Sequence, residues 1–136
     1  MRRIGSWVSA CLMLPVVSAA TCGANLPEKG RQIARGDGVE VAFVPSAWPL
    51  PVGQHFELVI ALCPTTEKSL PSRIQVDADM PAHKHGMNYR AMVKAQKDGL
   101  YSAQGLMFHM PGRWRFIFDL DYSDRRSRVV TELEVE

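Results

Sequence analysis

Residues 110–120 read MPGRWRFIFDL, and this stretch indicates the fold. Pro111 and Gly112 stand at the two central positions of a type II turn. After the turn, a large apolar side chain occupies every second position, which is the period of a half-buried β-strand. These side chains are Trp114, Phe116, Phe118 and Leu120. The stretch therefore predicts a turn followed by a strand with one face in the core.

Other segments on both sides of this stretch also have the character of strands. They fall within residues 39–44, 56–62, 74–80, 89–95, 100–110 and 129–135. Turn-forming residues separate them, and no segment shows a convincing helical period. About seven short strands with turns between them predict an all-β protein, and specifically a β-sandwich.

The chain opens with the features of a cleavable secretory leader. Arg2 and Arg3 precede an apolar run over residues 8–17, which is followed by small residues up to Ala20. A run of about ten apolar residues is about half of what a membrane-spanning helix needs. Lipid attachment at Cys11 is disfavoured, because little apolar sequence precedes it and the run continues beyond it. These features predict export to the periplasm.

The leader divides the chain into three parts. We predict a signal peptide over residues 1–20, an extended tail over residues 21–37 and one β-sandwich domain over residues 38–136. Of the 16 basic residues, two lie in the leader, so 14 remain beside 14 acidic residues. A neutral domain lacks the basic surface that nucleic acids require. We therefore expect no nucleic-acid partner and no membrane span once the leader is removed.

Two cysteines, Cys22 and Cys63, remain beyond the leader. An even pair of cysteines in an oxidising compartment predicts a disulfide. It would close a loop of about 40 residues, which stabilises the fold by roughly 4 kcal/mol in the chain-entropy model. The alternative is that the two thiolates bind a metal ion.

Histidine and methionine are concentrated in one window beyond the leader. Residues 80–110 contain all five remaining methionines and three of the four histidines. Residues 80–87, MPAHKHGM, are the densest part. Thioether sulfur suits Cu(I) and imidazole binds copper in both oxidation states, whereas zinc prefers Cys, His and carboxylate ligands. In an exported protein this mixture predicts a copper ion, as Cu(I).

Spacing selects the candidate ligands. In an extended chain, alternate residues share one face with Cα atoms about 6.5–7 Å apart. The predicted primary ligands are therefore His83, His85 and Met87. The secondary candidates are His109, Met110 and Met80, and either Asp77 or Asp79 is a candidate to orient an imidazole. The alternatives are that Met80 belongs to the core and that the histidines are solvated loop residues.

Residues 77–88 and 105–114 resemble the YtkA-like domain family, which is also similar to the periplasmic part of FixH-type proteins. The resemblance extends over roughly residues 38–136. It implies an immunoglobulin-like sandwich outside the cytoplasmic membrane. FixH-type relatives are linked to copper-dependent oxidase assembly, so the resemblance implies a copper-dependent membrane oxidase or a copper-handling protein as the partner. FixH-type proteins keep a membrane helix, whereas only a cleavable leader is predicted here.

Two functional hypotheses follow from these observations. In the first, an exported β-sandwich binds Cu(I) through its His/Met cluster for copper delivery or buffering. In the second, a metal-free interaction module uses the methionine and aromatic residues near the Pro111–Gly112 turn as an adaptable docking patch. The sequence contains neither a recognisable nucleophile motif nor a phosphate-binding glycine loop, so we expect no enzymatic activity.

Overall fold

The computed structural model describes residues 20–66 and 69–136 as two antiparallel sheets packed face to face. The all-β sandwich prediction is therefore confirmed. Residues 1–19 of the predicted signal peptide lie outside the described residues. In the part of the chain that is described, no helix has the length and apolar character needed to cross a membrane.

Nine strands form the two sheets within the described residues. The five-stranded sheet has the order β1-β2-β3-β7-β6, with bounds β1 Gln32–Gly36, β2 Val39–Pro45, β3 His55–Pro64, β7 Leu100–Met107 and β6 Met92–Ala95. The four-stranded sheet has the order β5-β4-β8-β9, with bounds β5 His85–Gly86, β4 Arg73–Met80, β8 Gly112–Asp121 and β9 Arg126–Val135. Strands β1 and β5 are additional to the seven predicted ones.

Strand β1 lies in the segment that was predicted to be an extended tail. Asp37 and Gly38 connect β1 to β2, and both have positive φ angles, 48° and 78°. Positive φ at both central residues is typical of a type I′ hairpin, for which Asp-Gly is a preferred sequence. The pairing runs from Gln32 opposite Phe43 to Gly36 opposite Val39. The sandwich therefore begins before residue 38, and the Asp-Gly pair was the signal for it.

The core lies between the two sheets and has an aromatic centre. All four alternating side chains predicted to face inward on β8 are fully buried, namely Trp114, Phe116, Phe118 and Leu120. Phe43 of the opposite sheet packs against the rings of Phe116 and Phe118, with ring centres 5.2 and 5.1 Å apart. Burial of this many large apolar side chains is the main stabilising contribution to the fold.

The predicted disulfide between Cys22 and Cys63 is present, with the two Cα atoms 5.7 Å apart. It holds the segment before β1 against the outer face of the five-stranded sheet. There Cys22 and Leu26 pack with Ala42, Val44 and Ala61 in a second, smaller apolar cluster. Because the two sulfur atoms are bonded to each other, the alternative of thiolate metal ligands is wrong.

The outer face of the four-stranded sheet carries paired charges across neighbouring strands. Arg115 donates two hydrogen bonds to Asp79, of 2.9 and 2.6 Å. Arg128 donates two to Asp119, of 2.7 and 2.8 Å. The hydrogen bonds from Arg128 hold the pKa of Asp119 below its ordinary value. This carboxylate is therefore more stable as an anion in the folded protein than in the unfolded chain.

We expect Asp119→Asn to lower the free energy of unfolding by about 1 kcal/mol at pH 7. Because the folded-state pKa is lowered, the contribution of Asp119 is present at neutral pH and is lost as the pH falls through that pKa. The difference between the two proteins should therefore vanish in acid. Urea titrations at several pH values measure it. The control is Asp98→Asn, since Asp98 forms no ion pair within residues 20–66 and 69–136. A difference that is constant with pH would contradict the prediction.

Candidate metal centre

The histidine-rich segment lies at one end of the sandwich. Pro81–His83 form a single 3-10 turn directly after β4, and Lys84 takes the left-handed backbone conformation with φ of 54°. This turn brings β5 back beside the end of β4, with His85 opposite Met80. Residues directly opposite each other in antiparallel strands face the same side. Because Met80 faces the core, His85 lies on the core side of the sheet, where it is half-buried.

Three imidazole rings come together at this end. The ring centres of His83 and His85 are 5.7 Å apart, and those of His85 and His109 are 4.9 Å apart. An ion held about 2.0 Å from a ring nitrogen lies about 3.2 Å from the ring centre, so two imidazoles that share an ion have ring centres about 5–6 Å apart. The distance of 5.7 Å lies in this range and that of 4.9 Å lies at its lower end. His83 and His109 are exposed, so an ion would reach the rings from solvent.

Trp114 packs against two of these rings from the core side. Its ring centre lies 6.0 Å from that of His85 and 5.5 Å from that of His109. The indole is wholly buried and stacks on Phe108 at 4.5 Å. Its Nε1–H donates a hydrogen bond of 3.0 Å to the carbonyl of Met110, which holds the backbone beside His109 in place. The sequence predicted Trp114 as a core residue only, and its contact with the imidazoles depends on the fold.

The candidate methionines occupy different environments. Met80 is 2 % exposed and belongs to the core, as the alternative interpretation predicted. Its Cε lies so close to Gly112 that a Cβ at this glycine would approach it to 2.8 Å. Met110 is half-buried and follows His109 directly. Met87 is half-buried and lines a groove that has no histidine among its lining residues. The roles of Met87 and Met110 as ligands stay predictions.

The two carboxylates that were candidates to orient an imidazole have other partners. Both oxygens of Asp79 accept hydrogen bonds from Arg115, and Oδ1 of Asp77 accepts one of 2.8 Å from the N–H of Ala78. Among the described residues, no set of three or more His, Cys, Asp or Glu side chains is arranged to hold a metal ion. Binding would therefore require small rotations of the imidazoles, a methionine sulfur as a further ligand, or both.

The comparisons with known proteins agree with the observed fold. The family model described as YtkA-like matches residues 33–119. Among solved structures, a DUF4426 family protein from Pseudomonas aeruginosa is similar, with a TM-score of 0.54 and 10 % sequence identity over 80 % of this chain and 97 % of that one. At this identity the likeness shows the fold alone. No protein with a curated description matches the chain.

Proposed function

The chain belongs to the YtkA-like family, and from this premise, together with its histidine cluster, we propose that it binds Cu(I) outside the cytoplasm for delivery or buffering. The observation that best supports the proposal is the position of His85. Its ring lies 5.7 Å from that of His83 and 4.9 Å from that of His109. Two separate parts of the chain therefore contribute imidazoles to one small volume.

The chemistry of the surrounding side chains favours copper over harder cations. Calcium and magnesium require oxygen ligands, whereas Asp79 is held by Arg115 and Asp77 accepts a hydrogen bond from backbone. Imidazole nitrogens together with a thioether sulfur would form a soft donor set that suits Cu(I). In this proposal His83, His85 and His109 hold the ion, and Met110 or Met87 supplies sulfur.

The proposed location is the periplasm. The disulfide between Cys22 and Cys63 supports it, because structural disulfides persist in oxidising compartments and are rare in the cytosol. The proposed partner is a copper-dependent membrane oxidase or another copper-handling protein. Exposure of His83 and His109 supports transfer to a partner, since an exposed ion can be exchanged without unfolding of the domain.

We expect His85→Ala to weaken Cu(I) binding at least 100-fold, because this ring is the neighbour of both other imidazoles. The measurement is an anaerobic competition titration against a chromogenic Cu(I) chelator, with ascorbate as a reductant that leaves the disulfide intact. His55→Ala is the matched control. His55 is the fourth histidine; it is exposed, and its ring lies against that of Tyr89 at 4.8 Å.

Copper binding can also be followed through Trp114 in a Trp48→Phe background. Trp114 is then the one tryptophan left among the described residues, and copper beside His85 should quench its emission. The quenching should disappear in His85→Ala and persist in His55→Ala. Weak and equal Cu(I) binding by all of these proteins would contradict the copper proposal and favour the metal-free interaction module.

A further inference from the structure

One edge of β4 has no hydrogen-bonded partner strand over most of its length. On one side β4 pairs with β8 from Arg73 to Asp79, but on the other side β5 pairs only with Asp79 and Met80. After Met87 the chain leaves this sheet and joins the other sheet as β6. Within the described residues, Arg73–Asp77 therefore form a free strand edge.

The backbone of this free edge has unused hydrogen-bonding groups. The N–H of Met87 donates a hydrogen bond of 3.1 Å to the carbonyl of Ala78, so this carbonyl points to the side of β5. Backbone groups alternate in direction along a strand, so those of Ile74 and Val76 point to the same side. In the described part of the chain, neither residue makes a hydrogen bond to another segment on this side. Unpaired groups of this kind can template a further strand.

A groove of about 770 Å³ runs beside the free edge. The edge forms one wall, and β6 together with the segment that leads to it forms the other. The apolar side chains that line it include Met87, Ala91, Val93 and Tyr101, all half-buried against the core. A strand added here would alternate its side chains between this apolar lining and the outer face of the sheet.

The uncompensated charge of the groove is positive. Arg73 and Arg90 line it, and neither forms an ion pair with a described residue. Of the two carboxylates on the lining, Asp119 is paired with Arg128. Asp77 accepts one backbone hydrogen bond and keeps its charge, so two arginines stand against one carboxylate. A segment that carries carboxylates therefore complements the groove better than a basic one.

We infer that the free edge of β4 binds an extended acidic segment of a partner protein, which adds to the sheet as a further antiparallel strand beside Arg73–Asp77. Addition of a strand to an exposed edge is a general mode of peptide recognition. Five residues of such a segment span about 17 Å. Its apolar side chains contact Val93 and Tyr101, and its carboxylates meet Arg73 and Arg90. The inference does not depend on copper, so its test uses the metal-free protein.

The test uses a fluorescent heptapeptide of alternating valine and glutamate as the ligand. In an antiparallel pair, the valines that face the groove also carry the N–H groups that bond Ile74 and Val76. N-methylation of the valines should therefore weaken binding at least tenfold, and N-methylation of the glutamates should be tolerated. Fluorescence anisotropy measures these affinities. Amide hydrogen exchange at Ile74 and Val76 should slow when the unmodified peptide is bound. A peptide with lysine in place of glutamate should bind at least tenfold more weakly.

The charge contribution is tested with the double variant Arg73→Glu/Arg90→Glu, which should bind the acidic peptide at least tenfold more weakly. Lys29→Glu is the control, since Lys29 is exposed and lines a different pocket beside Trp48. Equal binding of both N-methylated peptides, or unchanged exchange at Ile74 and Val76, would overturn the inference even if the double variant failed to fold. Self-association that protects the same amides without peptide would also overturn it and assign the edge to a second copy.

Discussion

Trp114→Ala is expected to lower the free energy of unfolding by about 4 kcal/mol. Because Trp114 adjoins the proposed copper site, the same change is expected to weaken Cu(I) binding. The stability loss follows from the burial of Trp114, which is wholly inaccessible and stacks on Phe108 at 4.5 Å. The loss of Cu(I) affinity follows from the contacts of Trp114 with the histidine cluster. Without the indole, His85 and His109 lose the surface that supports them, and the Met110 carbonyl loses its donor.

Urea denaturation and the Cu(I) competition titration measure the two effects separately. Phe118→Ala is the matched control, since Phe118 is equally buried but packs against Phe43 and Phe116 in the middle of the core. It should cost about 3–5 kcal/mol of stability and leave copper affinity unchanged in the folded protein. If both variants reduced copper affinity equally, Trp114 would have no specific role in positioning the imidazoles.

Trp114→Phe distinguishes the contribution of the aromatic ring from that of its hydrogen bond. Phenylalanine keeps an aromatic surface against Phe108 but has no donor for the Met110 carbonyl. A fully buried acceptor left without its donor costs about 1–3 kcal/mol, and the loss here should lie at the low end because Met110 is half-buried. We therefore expect a smaller loss of stability than in Trp114→Ala, with an intermediate loss of copper affinity because the backbone beside His109 is no longer held.

Removal of the disulfide is the second change for which we expect a large effect. The bond joins residues 41 positions apart, and opening a loop of this size costs about 4 kcal/mol in the chain-entropy model. The double variant Cys22→Ser/Cys63→Ser should be destabilised by this amount. Both cysteines must be replaced together, since one free thiolate would itself bind Cu(I).

The control for this variant is the wild-type protein after chemical reduction, which should lose the same stability. Copper affinity of the folded double variant should be unchanged, because the disulfide and the histidine cluster lie in different parts of the domain. A loss below about 1 kcal/mol would contradict the prediction and indicate that packing of Leu26 on the sheet already holds the N-terminal segment in place.

The sequence predicted the strands that the core requires. A strand between solvent and core must alternate in polarity, so residues 114–120 reveal both the element and its buried face. Strand β5 escaped prediction, because two residues cannot show a period. It exists only because Lys84 turns the chain back and pairs His85 with Met80.

The grouping of the histidines was predictable from the sequence, but the residue that packs against them was not. His83 and His85 are two residues apart, and His109 was identified by its position beside Met110. That Trp114 lies beneath two of the rings depends on how the ends of the two sheets meet, which spacing along the chain does not encode. The free edge of β4 was unpredictable for a similar reason, since it follows from the departure of the chain to the other sheet after Met87.

The position of the disulfide also decides where labels can be attached without disturbing the imidazoles. Cys63 lies near one end of β3. The other end begins at His55, opposite Met107 and therefore close to His109 in the chain, so about 26 Å of strand separates the disulfide from the histidine end. The described chain enters the domain at the disulfide end, but Val135 pairs with Gly112 at the histidine end. A fluorophore or affinity tag placed ahead of residue 20 leaves the rings open to bulk solvent, while the same group beyond β9 would crowd them.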